Sequence, residues 1–234
     1  MPEEKTPPTS PKPESSTTPD STPYPALDSD QLTHLVNATI ASYEGRAEQF
    51  WQGTKDHDVS QNRQSLLSAL PVEKSATLLD FGCGPGRDLH YFRSLGHTAI
   101  GLDACATFCQ KARDYAQCDV WQQNFLDLNL PSEHFHGIFA NASLFHVPQQ
   151  ELAQVLNHLH DALIPGGVLF CSNPRGPNIE GWNGDRYCAH TSFEHWCDTL
   201  QQARFSLLDH YYRPPGKPRD EQPWLVTLWR KSKV

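Results

Sequence analysis

Two acids and three glycines carry the clearest chemistry in this chain. Leu78-Leu79-Asp80-Phe81-Gly82-Cys83-Gly84-Pro85-Gly86-Arg87-Asp88 is a short apolar strand that ends in an acid and opens a glycine-rich turn. Glycine admits φ > 0 and lets the backbone pass close to a ligand. A helix that follows such a turn offers unpaired N–H groups at its start. Roughly twenty residues on, Ala99-Ile100-Gly101-Leu102-Asp103 is a second apolar strand closed by an acid, suited to a ribose diol. The four pieces predict a strand–turn–helix–strand unit that binds a nucleoside.

Which nucleoside depends on the spacing. The dinucleotide fingerprint is Gly-x-Gly-x-x-Gly, with a pyrophosphate on the helix N-terminus. Here the spacing is Gly82-x-Gly84-x-Gly86, and Arg87 occupies the place of the third dinucleotide glycine. Asp80 would repel a pyrophosphate but suits a ligand with an ammonium group. This combination resembles motif I of the class I S-adenosylmethionine (SAM)-dependent methyltransferases, of the small-molecule type.

The elements that must position these residues follow the same order. Cys118–Phe125 reads as a third strand and Gly137–Ala142 as a fourth. A helix from about Gln149 to Leu163 carries Leu152, Val155, Leu156, Leu159 and Leu163 at helical spacing. Pro165-Gly166-Gly167 stops it, and Val168–Ser172 is a fifth strand. Two closing strands flank a Pro-rich loop, His210–Arg213 and Trp224–Trp229, in which Leu225 and Leu228 do not alternate cleanly. The resemblance runs from roughly residue 40 to the C-terminus. It implies an α/β fold: a Rossmann-like, seven-stranded, mostly parallel sheet with helices on both faces and an antiparallel last hairpin.

The resemblance also implies roles. Gly82, Gly84 and Gly86 would curve under the methionine and ribose of SAM, Asp80 would sit near its ammonium, and Asp103 would take the ribose hydroxyls. Asn124, with Phe125 beside it, stands where many members have an acid–aromatic pair, so its carbonyl oxygen would accept from the adenine amine. Asn141, at the end of the fourth strand, would serve the SAM amino group. For the acceptor side, Tyr43 would cap the sulfonium or methyl, and His146 or His57 would act as base if the acceptor must lose a proton, with His146 preferred for its place after strand four. Trp51, Trp182 and Tyr187 would form a partial aromatic wall. Arg213, with Arg219, would meet an acidic acceptor by bidentate pairing.

The bulk numbers bound the alternatives. The chain has 234 residues, enough for one α/β domain. Residues 1–28, rich in Pro, Ser and Thr, are expected to be a disordered tail. Residues 29–234 are expected to form a single methyltransferase domain with N-terminal cap helices and a lid insertion at about 173–190. The seven cysteines form no Cys-x-x-Cys pair, which suits reduced thiols in a cytoplasmic protein and no metal site. A net charge of −8 with only small basic clusters weighs against a nucleic-acid partner, and no stretch is long and apolar enough for a membrane span. A monomer or homodimer is expected.

The function expected from these features is methyl transfer from SAM to N, O or S of a small polar molecule. Protein or peptide methylation, a non-catalytic SAM-fold partner, and an NAD-linked oxidoreductase (disfavoured by Arg87) stand as alternatives.

Overall fold

The computed structural model describes residues 26–72 and 74–232. Of the expected tail, residues 1–25 lie outside the described residues. Asp28 caps the first helix, α1 (Ser29–Glu44), in a reciprocal capping box with Gln31. Just before it, the Leu27 backbone exchanges hydrogen bonds with the Gln150 side chain.

Two further short helices, α2 (Ala47–Thr54) and α3 (Ser60–Ala69), precede the sheet. Then follow β1 (Thr77–Phe81), α4 (Arg87–Ser94), β2 (Thr98–Asp103), α5 (Ala106–Ala116), β3 (Val120–Gln122), β4 (Phe135–Asn141), α6 (Gln149–Ala162) and β5 (Leu163–Pro174). The chain closes with β6 (Ile179–Asn183), β7 (Arg186–His190), α7 (Phe193–Gln202), β8 (Phe205–Arg213) and β9 (Trp224–Lys231).

Seven strands pair in the order β3-β2-β1-β4-β5-β9-β8, and β6-β7 form a separate hairpin. The first five strands of the large sheet are parallel, while β9 runs antiparallel to both β5 and β8. The Rossmann-like, mostly parallel sheet with an antiparallel last hairpin is therefore present.

Side-chain alternation splits the core into two layers. Leu79, Phe81, Ile138, Leu169 and Cys171 pack with α6 and α7, whereas Leu78, Phe139, Val168 and Phe170 pack with α3, α4 and α5. The irregular pattern around Leu225 and Leu228 has the same origin. Leu225 and Trp229 face one layer, Val226 and Leu228 the other, so β9 is apolar on both faces.

Three boundaries differ from the sequence reading. The third strand is only Val120–Gln122, leaving Asn124 and Phe125 in the loop that follows. Helix α6 ends at Ala162, and β5 already begins at Leu163, with Gly166 at φ +80 inside it. The expected lid contains an ordered hairpin rather than open loops. A two-residue turn with Gly184 first, at φ +65, joins β6 to β7.

Candidate active site

The β1–α4 turn is built by backbone that only glycine adopts easily. Gly82, Gly84 and Gly86 all have positive φ, at +77, +53 and +91. Their tasks differ. A Cβ on Gly82 would collide with Ser143 and crowd Phe125, so this glycine keeps a ligand cradle open. Gly84 donates its N–H to Asp103 Oδ2 at 2.9 Å. A Cβ on Gly86 would stand 2.8 Å from the Ala112 Cα, so this glycine seats the turn against α5. Gly86 lines neither cavity described below, which corrects its expected place under the ligand.

Two adjoining cavities open over the carboxyl ends of the strands, the usual ligand crevice of an open α/β sheet. The first is lined by Asp103, Asn124, Phe125 and Leu126 among others. The second, larger chamber is lined by Asp80, Asn141, Trp51, His57, Arg186 and Arg213 among others. Tyr43, Phe50, Gly82, Gly84 and Ala142 belong to both linings.

In the first cavity, each Asp103 oxygen accepts one backbone N–H, Oδ2 from Gly84 and Oδ1 from Cys105, both at 2.9 Å. Further lone pairs remain on both oxygens for a diol. Burial raises this carboxyl to about pH 6. Phe125 stacks on Phe81, with ring centroids 4.3 Å apart, and forms one wall. Asn124 already uses its carbonyl oxygen in a local turn, accepting from Leu126 N–H at 3.0 Å. One lone pair of that oxygen is thus committed to shaping the loop.

In the second chamber, Asp80 is buried, and its Oδ2 has no hydrogen-bond partner. Burial, and then the nearby Asp88 charge, push its pKa well up. A buried carboxylate oxygen without a partner is costly, and an ammonium group would satisfy it. Asp88 is held differently, in ion pairs with Arg63 at 2.6 Å and Arg87 at 2.7 Å. Arg87 also donates to the Thr54 carbonyl, so it ties the turn to α2. Asn141 Oδ1 accepts from Asn62 at 2.9 Å. Asn62 in turn accepts from Tyr211 and Arg213, making a buried hub that joins α3, β4 and β8.

Between the cavities, Tyr43 and His146 meet. The Tyr187 carbonyl lies 2.7 Å from His146 Nδ1, and a carbonyl only accepts, so Nδ1 carries the proton. Nε2 therefore accepts from the Tyr43 hydroxyl at 2.8 Å. Burial lowers the His146 pKa to about 4 and raises that of Tyr43. Arg186 Nη1 donates to the same Tyr43 oxygen at 3.1 Å, with its guanidinium 5.2 Å from the ring centre. His146 is thus a neutral acceptor that aims Tyr43, and its basic nitrogen is engaged rather than facing an acceptor directly.

The other expected residues separate. Trp51 and His57 line the larger chamber, and Trp51 packs edge-on to Tyr115. Trp182 does not line either cavity. It is 51% exposed, with His34 and Tyr187 as ring neighbours, so the expected aromatic wall loses this member. Tyr187 is buried and contributes its carbonyl to His146 and its N–H to Thr39, not its ring to a cavity. Arg213 lines the chamber but spends its donors on Gln61, Asn62 and the Asp58 carbonyl. Arg219 stacks on Tyr212. Asn62 and Arg186 were not singled out by the sequence. A buried Asn in a polar helix leaves no pattern, whereas Gly184-Asp185 is a readable hairpin signal that places Arg186 on a strand.

Among the described residues no group of three or more His, Cys, Asp or Glu side chains is placed to hold a metal ion, and no helix is long and apolar enough to cross a membrane.

Comparison with known proteins agrees with the architecture. Residues 78–167, from β1 into β5, match the family model described as a methyltransferase domain. The trans-aconitate 2-methyltransferase of Azoarcus sp. is 34% identical over 116 residues, 48% of this chain and 44% of that protein. The malonyl-[acyl-carrier protein] O-methyltransferase of Enterobacter lignolyticus is 31% identical over 133 residues, 56% of this chain and 51% of that protein. The chain thus spans about half the length of these relatives. A solved structure of Burkholderia thailandensis 1,6-didemethyltoxoflavin-N1-methyltransferase, with S-adenosylhomocysteine bound, superposes with a TM-score of 0.71 at 20% identity. That superposition covers 89% of this chain and 92% of the other. Motif, strand order and matched segment agree: residues 78–167 are similar to a methyltransferase domain, and the fold is that of a solved methyltransferase.

Proposed function

We propose that this protein transfers a methyl group from SAM to a small polar molecule. One observation carries the reading: two cavities share a glycine wall, with a diol-suited carboxylate in one and an unpartnered buried carboxylate in the other. SAM has a ribose diol at one end and an ammonium at the other, and its sulfonium lies between them. Asp103 would hold the diol, Phe125 would pack on the adenine side, and Asp80 would pair with the ammonium. Gly82 would leave room for the chain between them.

When bound, SAM supplies a methyl on a positively charged sulfur, open to in-line displacement. The sulfonium would then lie at the junction of the cavities, where the Tyr43 hydroxyl stands. His146 and Arg186 fix that hydroxyl, so its oxygen is aimed before any ligand arrives. The chamber holding Trp51, His57, Arg186 and Arg213 would receive the acceptor. A single domain with a recessed chamber favours a small acceptor over a folded protein.

Thermal melts with SAM, S-adenosylhomocysteine, NAD(H) and NADP(H) test the reading. A ligand at a hundred times its Kd adds about 2.7 kcal/mol. Stabilisation by the two adenosyl-sulfur compounds alone is expected. Stabilisation by NAD(H), or by none of them, would refute it.

A further inference from the structure

Among the described residues most arginines are already engaged, Arg175 through the Arg219 carbonyl. Arg63 and Arg87 share Asp88, Arg46 pairs with Asp185, and Arg204 with Asp161. Arg93, Arg113 and Arg230 donate to backbone carbonyls. Arg213 has three oxygen acceptors, and Arg219 covers an aromatic ring.

Arg186 differs. It lines the larger chamber, and no carboxylate among the described residues lies within ion-pair distance of it. Of its five N–H donors, one has a side-chain partner, the neutral Tyr43 hydroxyl. Its Nε is buried with no hydrogen-bond partner at all. A buried guanidinium donor left unpaired carries a desolvation cost that an oxyanion would relieve.

Its placement is built rather than incidental. Arg186 opens β7 directly after the Gly184-Asp185 turn. Asp185, its neighbour, clamps Arg46 between α1 and α2 with both oxygens. Tyr187, the next residue, bonds Thr39 of α1 through its N–H and His146 through its carbonyl. The residues on either side are therefore pinned, and the guanidinium is held beside Tyr43 at the acceptor side of the junction.

We propose that Arg186 is the acceptor-recognition residue and that the acceptor carries a carboxylate, which the guanidinium binds through its unpaired donors. This rests on the reading of the neighbouring cavity as the SAM site. The negative charges in the chamber do not oppose it. Asp88 is neutralised by two arginines, and Asp80 faces the ammonium of the cofactor in that reading. Asp58 is exposed at the rim and is engaged by Ser60. Planar two-point pairing also distinguishes a carboxylate from a neutral amide of the same shape.

The test uses the full chain loaded with S-adenosylhomocysteine. Calorimetric titration with malonate, succinate, glutarate and tricarballylate is compared with the matching uncharged amides. The expected result is that at least one carboxylate binds and its amide does not. Arg186→Gln should weaken that binding about tenfold to a hundredfold, with S-adenosylhomocysteine affinity unchanged, and Arg186→Lys should restore part of it.

Equal binding of acid and amide would overturn the proposal, as would no binding by any acid in the series. A loss of S-adenosylhomocysteine affinity in Arg186→Gln would also overturn it, by assigning the guanidinium to the cofactor's own carboxylate. Failure of the wild-type protein to bind S-adenosylhomocysteine would instead refute the cofactor site on which the proposal rests. Thermal melts of both variants show whether they fold.

Discussion

Cofactor affinity should depend on pH through Asp103, and the size of the effect follows from its surroundings. The carboxyl takes two backbone N–H groups yet is buried enough that its pKa rises to about 6. Only the ionised form presents acceptors to both hydroxyls of a diol. With a pKa near 6, about a tenth of the apo protein is ionised at pH 5 and about nine-tenths at pH 7, a ratio of about ten. The Kd for S-adenosylhomocysteine should therefore rise about tenfold from pH 7 to pH 5. The same shift acts on the ligand-free fold in the opposite sense. A carboxyl raised above its unfolded value of about 4 contributes stability that is complete below pH ~4 and is lost as pH rises through about 6. Ligand-induced stabilisation should consequently be larger at pH 7.5 than at pH 5.5. Asp103→Asn should weaken binding by about 1.5–3 kcal/mol, the scale for hydrogen bonds to a charged group, and should flatten the profile to what Asp80 alone provides. Calorimetry across pH 5–7.5 decides the matter. A wild-type Kd that is flat over that range, or an Asp103→Asn variant that keeps the whole slope, would refute this assignment.

Tyr43→Phe removes the hydroxyl held by His146 and Arg186, so methyl-transfer kcat should fall tenfold or more while Kd for S-adenosylhomocysteine stays within about twofold, by product release and calorimetry. Gly86→Ala places a Cβ 2.8 Å from Ala112 at a positive φ and should cost about 1–3 kcal/mol in chemical denaturation, with cofactor affinity retained. Asp88→Asn strips two arginines of their partner and should destabilise the fold by about 3 kcal/mol in the same assay. His146→Asn should leave the pH dependence of turnover above pH 5 unchanged, because the imidazole it replaces is already neutral there with a pKa of about 4.

The glycine turn and its flanking acids were readable in the sequence because local rules write them. Strand β1 ends in an acid and three left-handed glycines, and each of those features is encoded within a few neighbouring residues. The larger chamber is written by contacts between distant segments. Asn62 is buried in a helix with little apolar pattern, Ser60–Ala69, and its partners lie on β4 and β8. Trp182 looked suited to a ligand wall by type alone, yet strand alternation turns it outward while its neighbour Arg186 stays at the chamber. Asn124 spends one lone pair of its carbonyl on the Leu126 N–H, a local turn that residue type alone does not announce. The outcome for β9 runs the other way. Its broken alternation was visible, and only the sheet order showed that both faces are covered.

The Tyr43 hydroxyl is a meeting point for three separated stretches of chain: α1, the turn after β4, and the β6–β7 hairpin. The segment that matches the family model, 78–167, holds Asp80, Asp103, Phe125 and His146, while Tyr43, Trp51, Arg186 and Arg213 all fall outside it. In the proposed reading, changes in the hairpin and the leading helices would reshape the acceptor chamber while leaving Asp80, Asp103 and Phe125 in place.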